Sequence, residues 1–136
     1  MKKAPVIARI LIGVVLLWNL QCAFLFISNP SRYLDGFGLE GLAGEQMVRA
    51  IGLLFVMWNV PYSFALANPL RNRVSLVEAV WMQAIGLAGE TAILLLGGPY
   101  PSRIIQTITR FIAFDGVGLI FLVLAYVSVK SLEKSH

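Results

Sequence analysis

The sequence predicts an all-α membrane protein, an antiparallel four-helix transmembrane bundle of up-down-up-down order forming a single domain over residues 1–136. Three observations predict it. The first is composition: 58% of the 136 residues are apolar and 13% charged, with a mean hydropathy of +0.79, against roughly 45–50% and about 25% in soluble domains. A chain this short has too little interior to hide that much apolar surface, so the excess must face lipid. The second is segment length, since four apolar stretches, about 6–27, 45–67, 75–97 and 103–129, are each long enough for a helix across ~30 Å of hydrocarbon. The third is punctuation. Asn29-Pro30, Asn68-Pro69 and Gly97-Gly98-Pro99-Tyr100-Pro101 end the stretches with residues that break helices.

The first stretch holds eighteen consecutive uncharged residues from Ile10 to Ile27. Met1-Lys2-Lys3 before it looks like the start of a signal peptide, but the run offers no small-x-small cleavage site. Asn19-Leu20-Gln21 before Cys22 likewise lacks the pattern that lipoprotein processing needs. The segment therefore reads as a retained anchor. Ser28 to Gly44 forms the longest connection, with four glycines; it reads as a lid or short interfacial helix, or as a flexible linker.

The second stretch has twenty-one uncharged residues from Ala50 to Leu70. Pro61 within it leaves the carbonyl of Met57 without its helical donor, which predicts a kink beside Asn59. The third carries Glu78 and Glu90, and the fourth Arg110 and Asp115. Short linkers make successive helices antiparallel neighbours.

Orientation follows from the basic residues. Lys2, Lys3, Arg71, Arg73, Lys130 and Lys134 fall on one side, against Arg32 and Arg103 in the loops of the other, so both termini are expected in the cytoplasm. Tyr33, Tyr62, Tyr100 and Tyr126 are then expected near the two interfaces. The net charge of +4 is thus a topology signal, and no nucleic-acid partner is expected.

Depth at ~1.5 Å per residue sorts the polar residues within the spans into two layers. Gln21, Glu90 and Arg110 fall about 10 Å down, with Arg49 just above them. Asn19, Asn59, Gln83 and Asp115 fall at roughly 13–21 Å. Steps of four and three predict inward stripes: Glu45, Arg49, Gly52, Val56, Asn59 and Ser63 on span two, and Ala79, Gln83, Gly86, Glu90, Ile93 and Gly97 on span three. On span one, Asn19 shares a face with Ile12, Val15, Cys22 and Phe26. Arg110 and Asp115 lie five apart, about 140° around their helix, so only one of them can face a given neighbour.

Charges inside hydrocarbon seldom lack a partner, and those of Arg49, Glu90, Arg110 and Asp115 sum to zero. Equal depth predicts an ion pair between Glu90 and Arg110, with Arg49 sharing Glu90 or turning to the Glu45 and Gln46 end of its own helix. The candidate ligand-binding residues are accordingly Arg49, Glu90, Arg110, Asp115, Asn19, Asn59 and Gln83. They admit three accounts: a structural cluster that fixes which helix meets which, an outer cavity for a lipophilic or anionic molecule, or a proton relay through Glu90 and Asp115.

Arg9 and Arg49 each precede an asparagine by ten residues, and Trp18-Asn19 matches Trp58-Asn59. The match reads either as an inverted repeat of the kind transporters use or as coincidence between two apolar segments, and spans three and four show no counterpart.

The catalytic inventory is short. The one histidine is His136 and the one cysteine Cys22, so no nucleophile–histidine pair, disulfide or histidine metal centre can be assembled from this chain. No catalytic residue, metal or cofactor is expected. The expected function is that of a non-enzymatic membrane protein, an accessory or interaction subunit with a buried polar cluster. Its partners would be the lipid bilayer and other membrane proteins or further copies of itself. The alternatives are a carrier or binder of a lipophilic or anionic small molecule in an outward-facing cavity, and an enzyme acting on a lipid-soluble substrate.

With Pro30 and Phe37-Gly38 following span one, and Arg49-x-x-Gly52-x-Leu54-Phe55 opening span two, the chain resembles the small four-span bacterial membrane proteins grouped as DoxX-like, in particular the BphX-like proteins. The resemblance covers nearly the whole chain. It implies residence in the bacterial plasma membrane and association with other membrane proteins, and it transfers no catalytic residue.

Overall fold

A computed structural model describes residues 3–133. Met1, Lys2, Lys134 and His136, which enter the sequence argument above, lie outside the described residues. The fold is all-helical: α1 (Lys3–Ser28), a 3-10 turn (Pro30–Tyr33), a single-turn α2 (Leu34–Phe37), α3 (Gly41–Ala67), α4 (Arg73–Leu96) and α5 (Ser102–Glu133). Four helices are long and apolar enough to cross a membrane, over Pro5–Ser28, Gly41–Ala67, Arg73–Leu96 and Ser102–Ser131.

The breaks between helices have local causes. Pro30 disfavours helical geometry at Asn29, and α1 stops there. Asn68, extended ahead of Pro69, ends α3, and its Oδ1 accepts from the amides of Leu70 (3.2 Å) and Arg71 (3.1 Å) in an Asx turn. Side chains add to the cap at the end of α3: Phe64 O, which accepts from the Asn68 amide, also accepts from Asn72 Nδ2 at 2.7 Å, and Arg9 donates to Ala67 O at 2.6 Å. Pro61 is contained within α3.

The connection between α1 and α3 is a folded strap. Gly38, at φ +64°, closes α2 in the left-handed conformation that glycine adopts without a Cβ penalty. The strap lies on the first turns of α5, with Gly36 against Thr107 and Gly38 against Ile104, and Asp35 pairs with Arg103. Both partners are about two-thirds exposed, 69% for each side chain. Asp35→Ala is therefore expected to change stability by less than about 1 kcal/mol, as read by thermal unfolding of the purified protein in detergent.

The long helices close a ring in the order α1, α3, α4, α5 and back to α1. Ile12 and Val15 of α1, Leu76 and Ala79 of α4, and Leu122 and Val129 of α5 form its centre, together with Tyr62 of α3. Outside that centre the helices are apolar but uncovered, as at Leu17, Phe24 and Trp81. In its most apolar stretch of 18 residues α4 buries 11%, against 22–28% in the other three helices.

Candidate functional site

The deeper polar layer assembles into hydrogen-bonded chains. The Tyr62 hydroxyl donates to Gln83 Oε1 at 2.6 Å, with Ala79 O at 3.3 Å beside it. Gln83 Nε2 in turn donates to Asp115 Oδ1 at 2.8 Å. This chain ties α3, α4 and α5 together. Two glycines make room for it: Asp115 Oδ2 rests against Gly86, and a Cβ on Gly118 would stand 2.6 Å from Gln83 Nε2. On the other side of the bundle Asn19 Nδ2 donates to Asn59 Oδ1 at 3.3 Å, while Asn59 Nδ2 bonds Phe55 O at 2.6 Å. Asn19, Asn59, Gln83 and Asp115, placed in one layer by depth, are thus all engaged, although as two sets.

Tyr62 does not face the surface as an interfacial ring would. Its position predicts an interfacial ring, yet it is 2% exposed and forms one end of the Gln83 chain. A legible signal exists, because Tyr62 follows Asn59 by three residues on the face that also carries Gly52. The other tyrosines sit differently. Tyr126 lies with Arg73 and Lys130, whose cationic groups stand 5.5 and 5.8 Å from its ring centre, and Tyr33 packs on Phe26 at 4.8 Å.

The outer layer does not assemble as its depth predicts. Among the described residues Glu90 and Arg110 make no ion pair within 4.0 Å, whereas Arg49 pairs with Glu45, at 3.6 Å, and Arg103 with Asp35. The cause is the 140° between positions 110 and 115. Asp115 takes the direction facing α4, where Gln83 and Gly86 receive it, and Arg110 is left turned toward α1 as the charged neighbour of Cys22. Arg110 is exposed. Glu90 keeps Asp115 as its charged neighbour, and its Oε2 is buried with no hydrogen-bond partner. Gln21, placed beside Glu90 by depth, is exposed on α1.

Arg49 departs for a second reason. The buried face of α3 carries Gly44, Val48, Gly52, Asn59 and Tyr62, about one position round from the predicted stripe. Only Gly52 and Asn59 belong to both, so Glu45, Arg49, Val56 and Ser63 fall at or beyond its edge. On α4 the predicted stripe runs inward through Ala79, Gln83, Gly86 and Glu90, and then opens at Ile93.

Nearer the strap than the Asn19–Asn59 contact, aromatic rings cluster around Phe26. Phe26, 3% exposed, stands 5.6 Å from Phe37, 5.9 Å from Phe55 and 6.3 Å from Phe111, centre to centre. These four rings come from α1, the strap, α3 and α5, and such pairs favour edge and offset contacts. Among the described residues no three His, Cys, Asp or Glu side chains converge as metal ligands.

Chemically, the Tyr62–Gln83–Asp115 chain has its donors matched to acceptors, as suits a group that fixes helix positions. Glu90 is the exception, a carboxyl group whose buried Oε2 has no hydrogen-bond partner among the described residues. Comparison with known proteins adds no relative: no family model matches the chain, nor does any curated protein or solved structure.

Proposed function

We propose that the chain is a multi-pass protein of the bacterial plasma membrane, with four antiparallel spans and both termini cytoplasmic. In this reading it acts as a non-enzymatic interaction or accessory subunit, in keeping with the DoxX-like and BphX-like proteins it resembles. The antiparallel reading is supported by contacts whose numbers rise in α1 as they fall in α3: Arg9 with Ala67, Asn19 with Asn59, and Phe26 with Phe55. The orientation is supported by Arg73 and Lys130 gathered around Tyr126, the mixture of cations and aromatic rings found at a cytoplasmic interface.

The observation that carries the functional reading is the division of the polar groups. Inside the bundle Tyr62, Gln83 and Asp115 bond one another, as do Asn19 and Asn59, and four aromatic rings pack together around Phe26; Glu90 apart, this interior supports association through the outside. The most apolar stretch of α4 is the least covered of the four. Its exposed face includes Ala88, Gly89 and Ala92, small residues that let another helix approach closely. A photo-crosslinking amino acid in place of Gly89 is expected to yield a discrete protein adduct in intact membranes, whereas one in place of Ile10, on the exposed side of α1, yields none. No adduct from position 89 contradicts the reading.

Glu90 favours a second reading, a binder of a small lipophilic molecule that brings its own hydrogen-bond donor to the unpartnered carboxylate. This reading requires Glu90→Gln to weaken retention of a co-purifying molecule; equal retention dismisses it.

A further inference from the structure

We propose that the outward-facing side of the α1–α5 seam binds the phosphate head group of an anionic phospholipid through Arg110. The proposal rests on the membrane reading above and goes beyond it by assigning a ligand and a place. The basic side chains of the spans are otherwise engaged: Arg9 with Ala67 O, Arg49 with Glu45, Arg73 with the Tyr126 hydroxyl, Arg103 with Asp35, and Lys130 over the Tyr126 ring. Arg110 is exposed and makes no hydrogen bond or ion pair among the described residues. A guanidinium left bare in hydrocarbon is strongly unfavourable, so its counter-charge must come from outside the chain.

Position selects the lipid. Arg110 lies eight residues into α5 from Ser102, ~12 Å along the axis, and a long arginine side chain extends back toward the interface where phosphates lie. Around it the exposed surface is apolar, with Leu17 and Phe24 on α1 and Phe114 and Val117 on α5, while exposed Gln21 adds an amide donor on the α1 side. Acyl chains fit the first group and a head group the second. A second copy of the chain in the same orientation fits less well. The exposed acid within its spans is Glu78, five residues from the Arg73 end of α4 and hence near the opposite membrane face, whereas Glu90 Oε2 is buried in its own bundle.

Trp18 provides a reporter, since it packs on Phe114 and Phe121 in the same seam, at 5.5 and 6.1 Å. With Trp58→Phe and Trp81→Phe in place, the full chain is reconstituted in phosphatidylcholine bilayers carrying a fixed minor fraction of brominated phosphatidylglycerol or of brominated phosphatidylcholine. Trp18 is expected to be quenched with an apparent affinity about five-fold higher for the anionic lipid, a ratio that falls as salt is raised. Arg110→Gln is expected to bring the ratio to about one, while Arg110→Lys, which keeps the charge, and Arg103→Gln, which removes an engaged arginine, retain it. A ratio of about one in the protein with Arg110 intact overturns the proposal and leaves the seam to a protein partner. So does a ratio that Arg110→Gln leaves unchanged while the helix content stays the same. Absence of quenching by either lipid overturns the membrane reading itself, which separates the two failures.

Discussion

Gly52→Leu is expected to destabilise the bundle by about 3 kcal/mol, at the upper end of what overpacking costs, and Gly89→Leu by less than about 0.5 kcal/mol. Both glycines lie within long helices, so the contrast isolates packing from helix propensity. A Cβ at position 52 would stand 2.9 Å from Ala23 O, 2.9 Å from Ile27 Cγ1 and 3.0 Å from Phe26 Cβ, whereas one at position 89 would meet nothing within 4 Å. The first obstruction is backbone and cannot rotate away. To admit the side chain, α1 and α3 must separate, which strains the Asn19–Asn59 hydrogen bond and the Phe26–Phe55 contact together. Reversible unfolding of the purified protein in mixed micelles measures both variants. Equal losses at the two positions contradict close approach of α1 to α3.

Gln83→Leu is the second large effect, a loss of about 3 kcal/mol. Gln83 is 4% exposed and lies between two polar groups. Leucine has similar bulk but leaves Asp115 Oδ1 without its amide donor and takes away the Tyr62 hydroxyl's acceptor on Gln83, and buried groups stripped of a partner cost more than the bond itself was worth. Tyr62→Phe removes one donor only and is expected to cost about 1 kcal/mol. Adding Asp115→Leu to Gln83→Leu should recover part of the loss, because it removes the orphaned group rather than creating another. Strict additivity in that cycle contradicts a direct Gln83–Asp115 interaction.

Much of this arrangement is written in local sequence. Length, apolar composition and the Asn-Pro breaks determine the helices, because each acts within a few residues of its own position. Depth finds Asn19, Asn59, Gln83 and Asp115 for a related reason: rise per residue is constant, so groups at one level can meet. What depth omits is rotation. In a soluble helix the polar face shows which side is outside, but here the outward side is apolar too, and a stripe through Gly52 and Asn59 can continue to Arg49 and Ser63 or to Val48 and Tyr62 with equal regularity. Tyr62 and Arg49 are misplaced together by that one-position ambiguity.

The five-residue spacing of Arg110 and Asp115 shows that one of them must turn away, but not which. Gly86 and Gly118, on two different helices, decide it by making room for Asp115 and for Gln83. The aromatic cluster around Phe26 draws on four separate segments, and nothing local to any of them marks the meeting.

The most direct test of the central claim, four spans with the strap outside and the α3–α4 turn inside, is cysteine accessibility in intact cells. With Cys22→Ala as background, Ser31→Cys places a thiol on the exposed strap and Arg71→Cys one on the exposed α3–α4 turn. A membrane-impermeant maleimide is predicted to label position 31 in intact cells and position 71 only after permeabilisation. Labelling of position 71 in intact cells, or equal labelling of both, contradicts the account.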